Sequence, residues 1–85
     1  MRIDGFEWHE AIAEKIEEKH TVTTEEAEEV FDNDPKVYKR GDRYTALGRA
    51  NNGHYLFVVF AYENWIVRFI TVRDMTKSEQ KRYRK

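Results

Sequence analysis

Tyr55-Leu56-Phe57-Val58-Val59-Phe60-Ala61-Tyr62 is apolar at every position and rich in β-branched and aromatic residues, and turn signals bound it: Asn51-Asn52-Gly53 before it and Glu63-Asn64 after it. A continuous apolar run of this kind is the signature of a central strand with both faces covered. The remaining strands are read outward from it. Val37 to Arg40 and Arg43 to Ala50 precede it, joined at Gly41-Asp42, and Trp65 to Arg73 follows it. Asn52-Gly53 is a strong hairpin signal. The four strands therefore predict an antiparallel meander.

Upstream the period changes. Trp8, Ile12 and Ile16 recur every four positions, which marks one stripe of a helix over Trp8 to His20, with Glu10, Glu14, Glu17 and Glu18 on its far side. Thr23-Thr24-Glu25-Glu26 has capping-box form, and Ala27, Val30 and Phe31 follow at helical spacing, so a second short helix should end before Pro35. Ile3 to Phe6 suits a short first strand. Thr76-Lys77-Ser78-Glu79 is a second capping box, opening a segment Gln80 to Lys85 whose one apolar residue is Tyr83. The expected fold is α+β, with two N-terminal helices packed on the meander sheet and a short C-terminal helix, in one domain spanning residues 1–85.

At 85 residues, folding buries roughly 60 to 65% of the unfolded surface, enough for one core and too little for a deep cofactor cleft. Zero cysteines exclude a thiolate nucleophile or a cysteine zinc site and suit a reducing cytoplasm. No window approaches the roughly 18 apolar residues of a membrane span, and no signal-like start is present, so neither secretion nor membrane insertion is expected. No Gly-rich loop precedes a helix, and His9, His20 and His54 show no paired ligand spacing, so neither cofactor nor metal is expected.

The net charge of -1 conceals a division. Residues 1–34 hold 3 Lys/Arg against 12 Asp/Glu, a balance of -9, whereas residues 35–85 hold 12 against 4, a balance of +8. Such asymmetry marks either a basic surface for a polyanion or two halves of one fold neutralising each other.

Individual residues sharpen the first alternative. Lys19 falls at about 20° on a helical wheel that has Trp8 at zero, inside the apolar stripe. Its stem either covers the core edge while the ammonium reaches water, or it is aimed into a site as a general base. His20 flanks the same stripe at the helix end. Arg40, Arg43, Arg49, Arg68 and Arg73 lie on or beside strands, with Arg82 and Arg84 near the C-terminus; planar guanidinium forks suit phosphate. Arg68 shares a strand face with Ile66, Ile70 and Val72, so it needs an ion-pair partner or an open groove. Arg73, five residues on, points the other way in a regular strand; a bulge or twist is required for both to serve one site. Tyr38, Tyr44, Tyr55, Tyr62, Trp65 and Tyr83 interleave with the arginines, as in surfaces that stack bases, although aromatics also favour strands for their own sake.

The ordered set Phe6-Glu7-Trp8, Lys19-His20, Val22-x-x-Glu25-Glu26-Ala27, Val30-Phe31, Asp34-Pro35, Asp42-Arg43-Tyr44, Ala46-Leu47-Gly48, Val58-Val59-Phe60, Arg68-Phe69-Ile70-Thr71-Val72-Arg73, and Glu79 with Tyr83 resembles BrnT-type toxins across almost the whole chain. The resemblance implies a RelE-like fold and an RNA-cleaving toxin of a type II toxin–antitoxin pair. It also implies a ribbon-helix-helix antitoxin through which the complex contacts operator DNA. Lys19, His20, Arg43, Arg68 and Arg73 occupy the family's characteristic polar positions. Three departures stand out: His9 where Asp is common, Thr21 where Gly follows Lys-His, and His54 where Arg follows Gly.

The expected activity is metal-independent endoribonuclease action that inhibits translation and growth. Lys19 or His20 would take the proton of the attacking 2′-hydroxyl, and Arg68 and Arg73 would stabilise the transition state. Arg43, Arg49, His54, Arg82 and Tyr83 would bind RNA. The alternative is a non-catalytic module that binds nucleic acid or an acidic protein.

Overall fold

The computed structural model describes residues 1–85. In chain order it contains β1 (Gly5–Glu7), α1 (Glu10–His20), α2 (Thr24–Glu29) continued by a 3-10 turn (Val30–Asp32), β2 (Lys36–Arg40), β3 (Arg43–Arg49), β4 (Tyr55–Glu63), β5 (Ile66–Asp74) and α3 (Lys77–Arg84). The five strands form one sheet in the order β1-β5-β4-β3-β2. The apolar run β4 is thus the central strand. β2 to β5 are the expected antiparallel meander, but β1 adds to the outside of β5 in parallel, so the sheet is mixed. A strand only three residues long joins there because the α1 and α2 segment and the meander separate it from β5 in sequence, which is the long connection that parallel pairing needs. The second helix is also shorter than its pattern suggested, six residues before tightening to 3-10 geometry ahead of Pro35.

Both capping boxes form. Thr23 and Glu26 open α2, and Thr76 and Glu79 open α3, each hydroxyl accepting from the N3 amide while the N3 carboxylate accepts from the cap amide. The departures in α1 fall at its ends. His9 is its N-cap, accepting from the Ala11 amide through Nδ1 at 3.1 Å, and Thr21 is its C-cap at φ 53, the left-handed conformation that favours glycine. The β4–β5 hairpin turns at Asn64-Trp65, both at positive φ, so β5 begins at Ile66 rather than Trp65.

The helices cover one sheet face. Ile16, Val22, Ala27 and Val30 from the helical layer meet Ala46, Leu56, Val58, Phe60, Val67, Phe69 and Val72 from the strands, all buried. Gly48 lets the layers close, since a Cβ there would lie 2.6 Å from Val30 Cγ1. Trp8 stacks on Phe69 at a centroid distance of 3.9 Å, and its indole N–H donates to Glu28 at 2.8 Å, which ties the start of α1 to α2. Aromatic pairs of this kind contribute about 0.5 to 1.5 kcal/mol beyond their buried area.

The opposite face of β4 is only partly covered, contrary to the expectation from its sequence. Tyr55, Phe57, Val59 and Ala61 are half-buried where Leu56, Val58 and Phe60 are fully buried. Only α3 crosses that face, packing on β3 above Leu47, which is 1% exposed. The rest of it remains open.

Candidate nucleic-acid interface

Which face each β5 side chain takes is decided by one residue. The β4–β5 register runs Phe57 to Arg73 and Val59 to Thr71, then resumes at Phe60 to Phe69 and Ala61 to Arg68, so Ile70 has no partner. This bulge shifts the alternation by one. Arg68 and Arg73 therefore share the open face with Phe57 and Ala61, separated by about 13 Å along the strand. Val72, expected beside Arg68, belongs to the core face and is fully buried.

By register the same face carries Lys36, Tyr38 and Arg40 from β2 and Arg43, Thr45 and Arg49 from β3. Arg68 is exposed and makes no ion pair, so neither Glu63 nor a helix carboxylate neutralises it. It borders two shallow pockets. One, of about 430 Å³, runs between Arg43, Arg68, Trp8 and Ile12, and the other, of about 340 Å³, lies between Arg68, Glu7 and Glu63.

At the other end of the face, guanidinium groups lie over rings. Arg73 sits 3.8 Å from the Phe57 centroid, Arg82 4.8 Å from Tyr38, and Arg49 and Arg84 are 5.0 and 5.5 Å from Tyr55. Tyr83 meets Tyr55 edge-on at 6.0 Å, and Lys36 Nζ donates to the Arg82 carbonyl at 2.7 Å, so the short C-terminal helix docks. Arg73 is the most constrained of the set. Its Nη1 and Nη2 donate to the two Glu79 carboxylate oxygens at 2.9 Å each, and Nη1 also donates to the Asp74 carbonyl at 2.9 Å. The bond from Arg73, reinforced by the Thr76 amide and opposed by burial, holds the Glu79 carboxyl below its usual range.

The basic strands and acidic helices do not cancel one another. Four contacts join acidic to basic side chains, and only His54 with Glu26 bridges the acidic first part and the basic second. His54 is engaged through both ring nitrogens, Nδ1 to Glu26 at 2.9 Å and Nε2 to Asp74. Burial opposes its charge, but the bonds to Asp74 and Glu26 outweigh it and raise its pKa above 6.5. It clasps the β3–β4 turn to α2 and β5, and in this arrangement has no ring N–H left for phosphate.

Lys19 and His20 occupy the last turn of α1, the lysine exposed and the histidine half-exposed, where the helix dipole favours cations. No hydrogen bond or ion pair links either to Arg68 or Arg73. Through Thr21 to Thr23 the end of α1 leads into α2, whose Glu26 is tied through His54 to Asp74, the neighbour of Arg73. The structure thus gathers Arg43, Arg49, Arg68, Arg73, Arg82 and Tyr83 on one face and leaves Lys19, His20 and His54 outside it. Sequence reasoning missed Glu79 as the partner of Arg73; the capping box had identified it as a helix start, and the same carboxylate does both.

The profile of one protein family, described as "Ribonuclease toxin, BrnT, of type II toxin-antitoxin system", matches residues 8–79. Among solved structures, the ribonuclease toxin BrnT of Brucella abortus is similar, with a TM-score of 0.70 and 21% sequence identity, over 86% of this chain and 97% of that one. No curated protein sequence matches.

Proposed function

The chain belongs to the BrnT family of ribonuclease toxins of type II toxin–antitoxin systems, and from that premise we propose that its open sheet face binds RNA and that the strand is cut where it passes from Arg73 round the sheet edge toward the end of α1. The observation that carries this reading is the unneutralised guanidinium array: Arg43, Arg49, Arg68 and Arg82 have no carboxylate partner. A polyanion supplies the missing charge, and single-stranded RNA adds bases that stack on Tyr38 and Tyr55 beside the cations.

The chemistry proposed is attack by the RNA's own 2′-hydroxyl on the adjacent phosphorus. Lys19 or His20 at the end of α1 removes the hydroxyl proton, the new oxygen–phosphorus bond forms, and the bond to the 5′-oxygen breaks. The 5′-oxygen takes up a proton, leaving a 2′,3′-cyclic phosphate and a 5′-hydroxyl. Arg73 stabilises the negative charge that builds on the phosphate oxygens, and Arg68, about 13 Å along the strand, holds a phosphate further along the RNA.

A type II toxin has an antitoxin partner. We propose that this one is a ribbon-helix-helix protein, that operator DNA is met only through it, and that the toxin acts in the cytoplasm by inhibiting translation. No helix of the chain is long and apolar enough to cross a membrane. Expression without antitoxin should arrest growth, and Arg73→Ala or Lys19→Ala should restore it while the protein still accumulates. Equal arrest by both variants contradicts the assignment.

A further inference from the structure

The way Arg73 is held leaves one edge of its guanidinium free. Glu79 takes the end formed by Nη1 and Nη2, Asp74 takes the second Nη1 proton, and the Phe57 ring supports one flat side at 3.8 Å. Nε–H and the second Nη2–H make no bond. Every side-chain nitrogen or oxygen that is buried in this protein has a partner, so the partnerless Nε of the half-buried Arg73 reaches solvent. These two remaining donors are parallel and form the side edge of the fork, which matches two oxygens of a phosphodiester.

Glu79 itself is fixed from behind. Its Oε1 accepts from the Thr76 amide at 2.9 Å, its own amide donates to Thr76 Oγ1 at 3.2 Å, and its side chain is 16% exposed. The carboxylate is thereby anchored to the first turn of α3 and transmits that rigidity to the arginine. An arginine free in solution loses side-chain entropy when it grips an anion; one already clamped loses less.

We propose that Glu79 is a positioning residue: it holds the end of the Arg73 guanidinium so that the Nε–H and Nη2–H edge faces the reacting phosphodiester. This rests on the ribonuclease reading above. Glu79 touches no substrate and acts only through Arg73. The Oε1 contact that steadies it comes from the Thr76 backbone amide, so the clamp on the arginine does not depend on the Thr76 hydroxyl.

The test compares Glu79→Gln, Thr76→Ala and Arg73→Ala with the wild type in steady-state cleavage of a short RNA, alongside thermal unfolding. Glutamine at N3 still closes a capping box but cannot clamp the guanidinium with charge on both oxygens. The expected result is a fall in kcat on the order of ten- to a hundredfold with KM changed by less than about threefold. Thr76→Ala, which removes the hydroxyl cap and keeps the Glu79–Arg73 pair, should stay within about twofold of wild-type kcat. Wild-type or higher activity in Glu79→Gln overturns the proposal, since the carboxylate would then be idle or competing with phosphate. An equal loss in Thr76→Ala also overturns it, reducing Glu79 to a helix anchor. Undiminished cleavage by Arg73→Ala removes Arg73 from the site itself and is the separate failure of the underlying reading. A second measurement needs no variant: titrating the wild type with the same oligonucleotide carrying a 2′-deoxy cleavage site should shift the Arg73 Nε–H resonance saturably, and an unmoved resonance overturns the proposal.

Discussion

Arg68 and Arg73 stand five residues apart in β5 and face the same side of the sheet, because Ile70 between them is bulged out of the ladder. Without that extra residue one of the two would be turned into the core side of the sheet. Both instead lie among unneutralised cations, with the acidic helices on the opposite side.

A surface of this kind should show itself in salt dependence. For an uncleavable single-stranded RNA, each phosphate contact contributes about -0.7 to the slope of log affinity against log salt. Arg68→Ala and Arg73→Ala should each reduce the magnitude of the slope by about that amount, whereas Lys15→Ala on the acidic helix should not change it. Equal slopes in all four proteins would place the RNA elsewhere.

The two unusual caps of α1 predict stabilising substitutions. Histidine is a weak N-cap beside aspartate, and Thr21 sits at φ 53 where only glycine is free of strain. His9→Asp and Thr21→Gly should each raise unfolding free energy by roughly 0.5 to 1 kcal/mol. Chemical denaturation at fixed pH measures this; a loss in either variant shows that the native side chain makes a compensating contact.

Two acids and one histidine give stability opposite dependences on pH. The folded pKa of His54 is raised above 6.5, so its contribution is complete below that value and is lost as pH rises through the folded one. Glu26 and Glu79 have folded values below 4.5, so their contribution is present above 4.5 and is lost as pH falls through the folded ones. The stability gap between wild type and His54→Gln should therefore be larger at about pH 5.5 than at about pH 9. A gap that widens toward high pH would mean the imidazole is bound neutral.

Much of this was legible in the chain because it depends on local pattern. The apolar run of β4, the three turn signals and both capping boxes each specify their own element, and the structure contains them all. What the sequence does not display is pairing between distant segments. Whether Gly5–Glu7 lies beside β5 or elsewhere is decided by packing of Phe6 against Phe69 and Phe31, and nothing in those three residues says so. The bulge at Ile70 is equally silent, since Ile66, Arg68, Ile70 and Val72 read as regular alternation; only a shared site for both arginines requires one. The resemblance puts His54 where an arginine follows glycine and so suggests a phosphate contact, whereas Glu26 and Asp74, 28 and 20 residues away, engage both its ring nitrogens. Its two partners exist only in the fold.

The most direct test of the account is incubation of purified, antitoxin-free protein with total RNA in EDTA, beside Arg73→Ala, followed by mapping of the fragment ends. Cleavage by the wild type alone is expected, leaving 2′,3′-cyclic phosphate and 5′-hydroxyl termini. Intact RNA with the wild type in EDTA, or termini bearing 5′-phosphate, would contradict a metal-independent attack by the RNA's own 2′-hydroxyl.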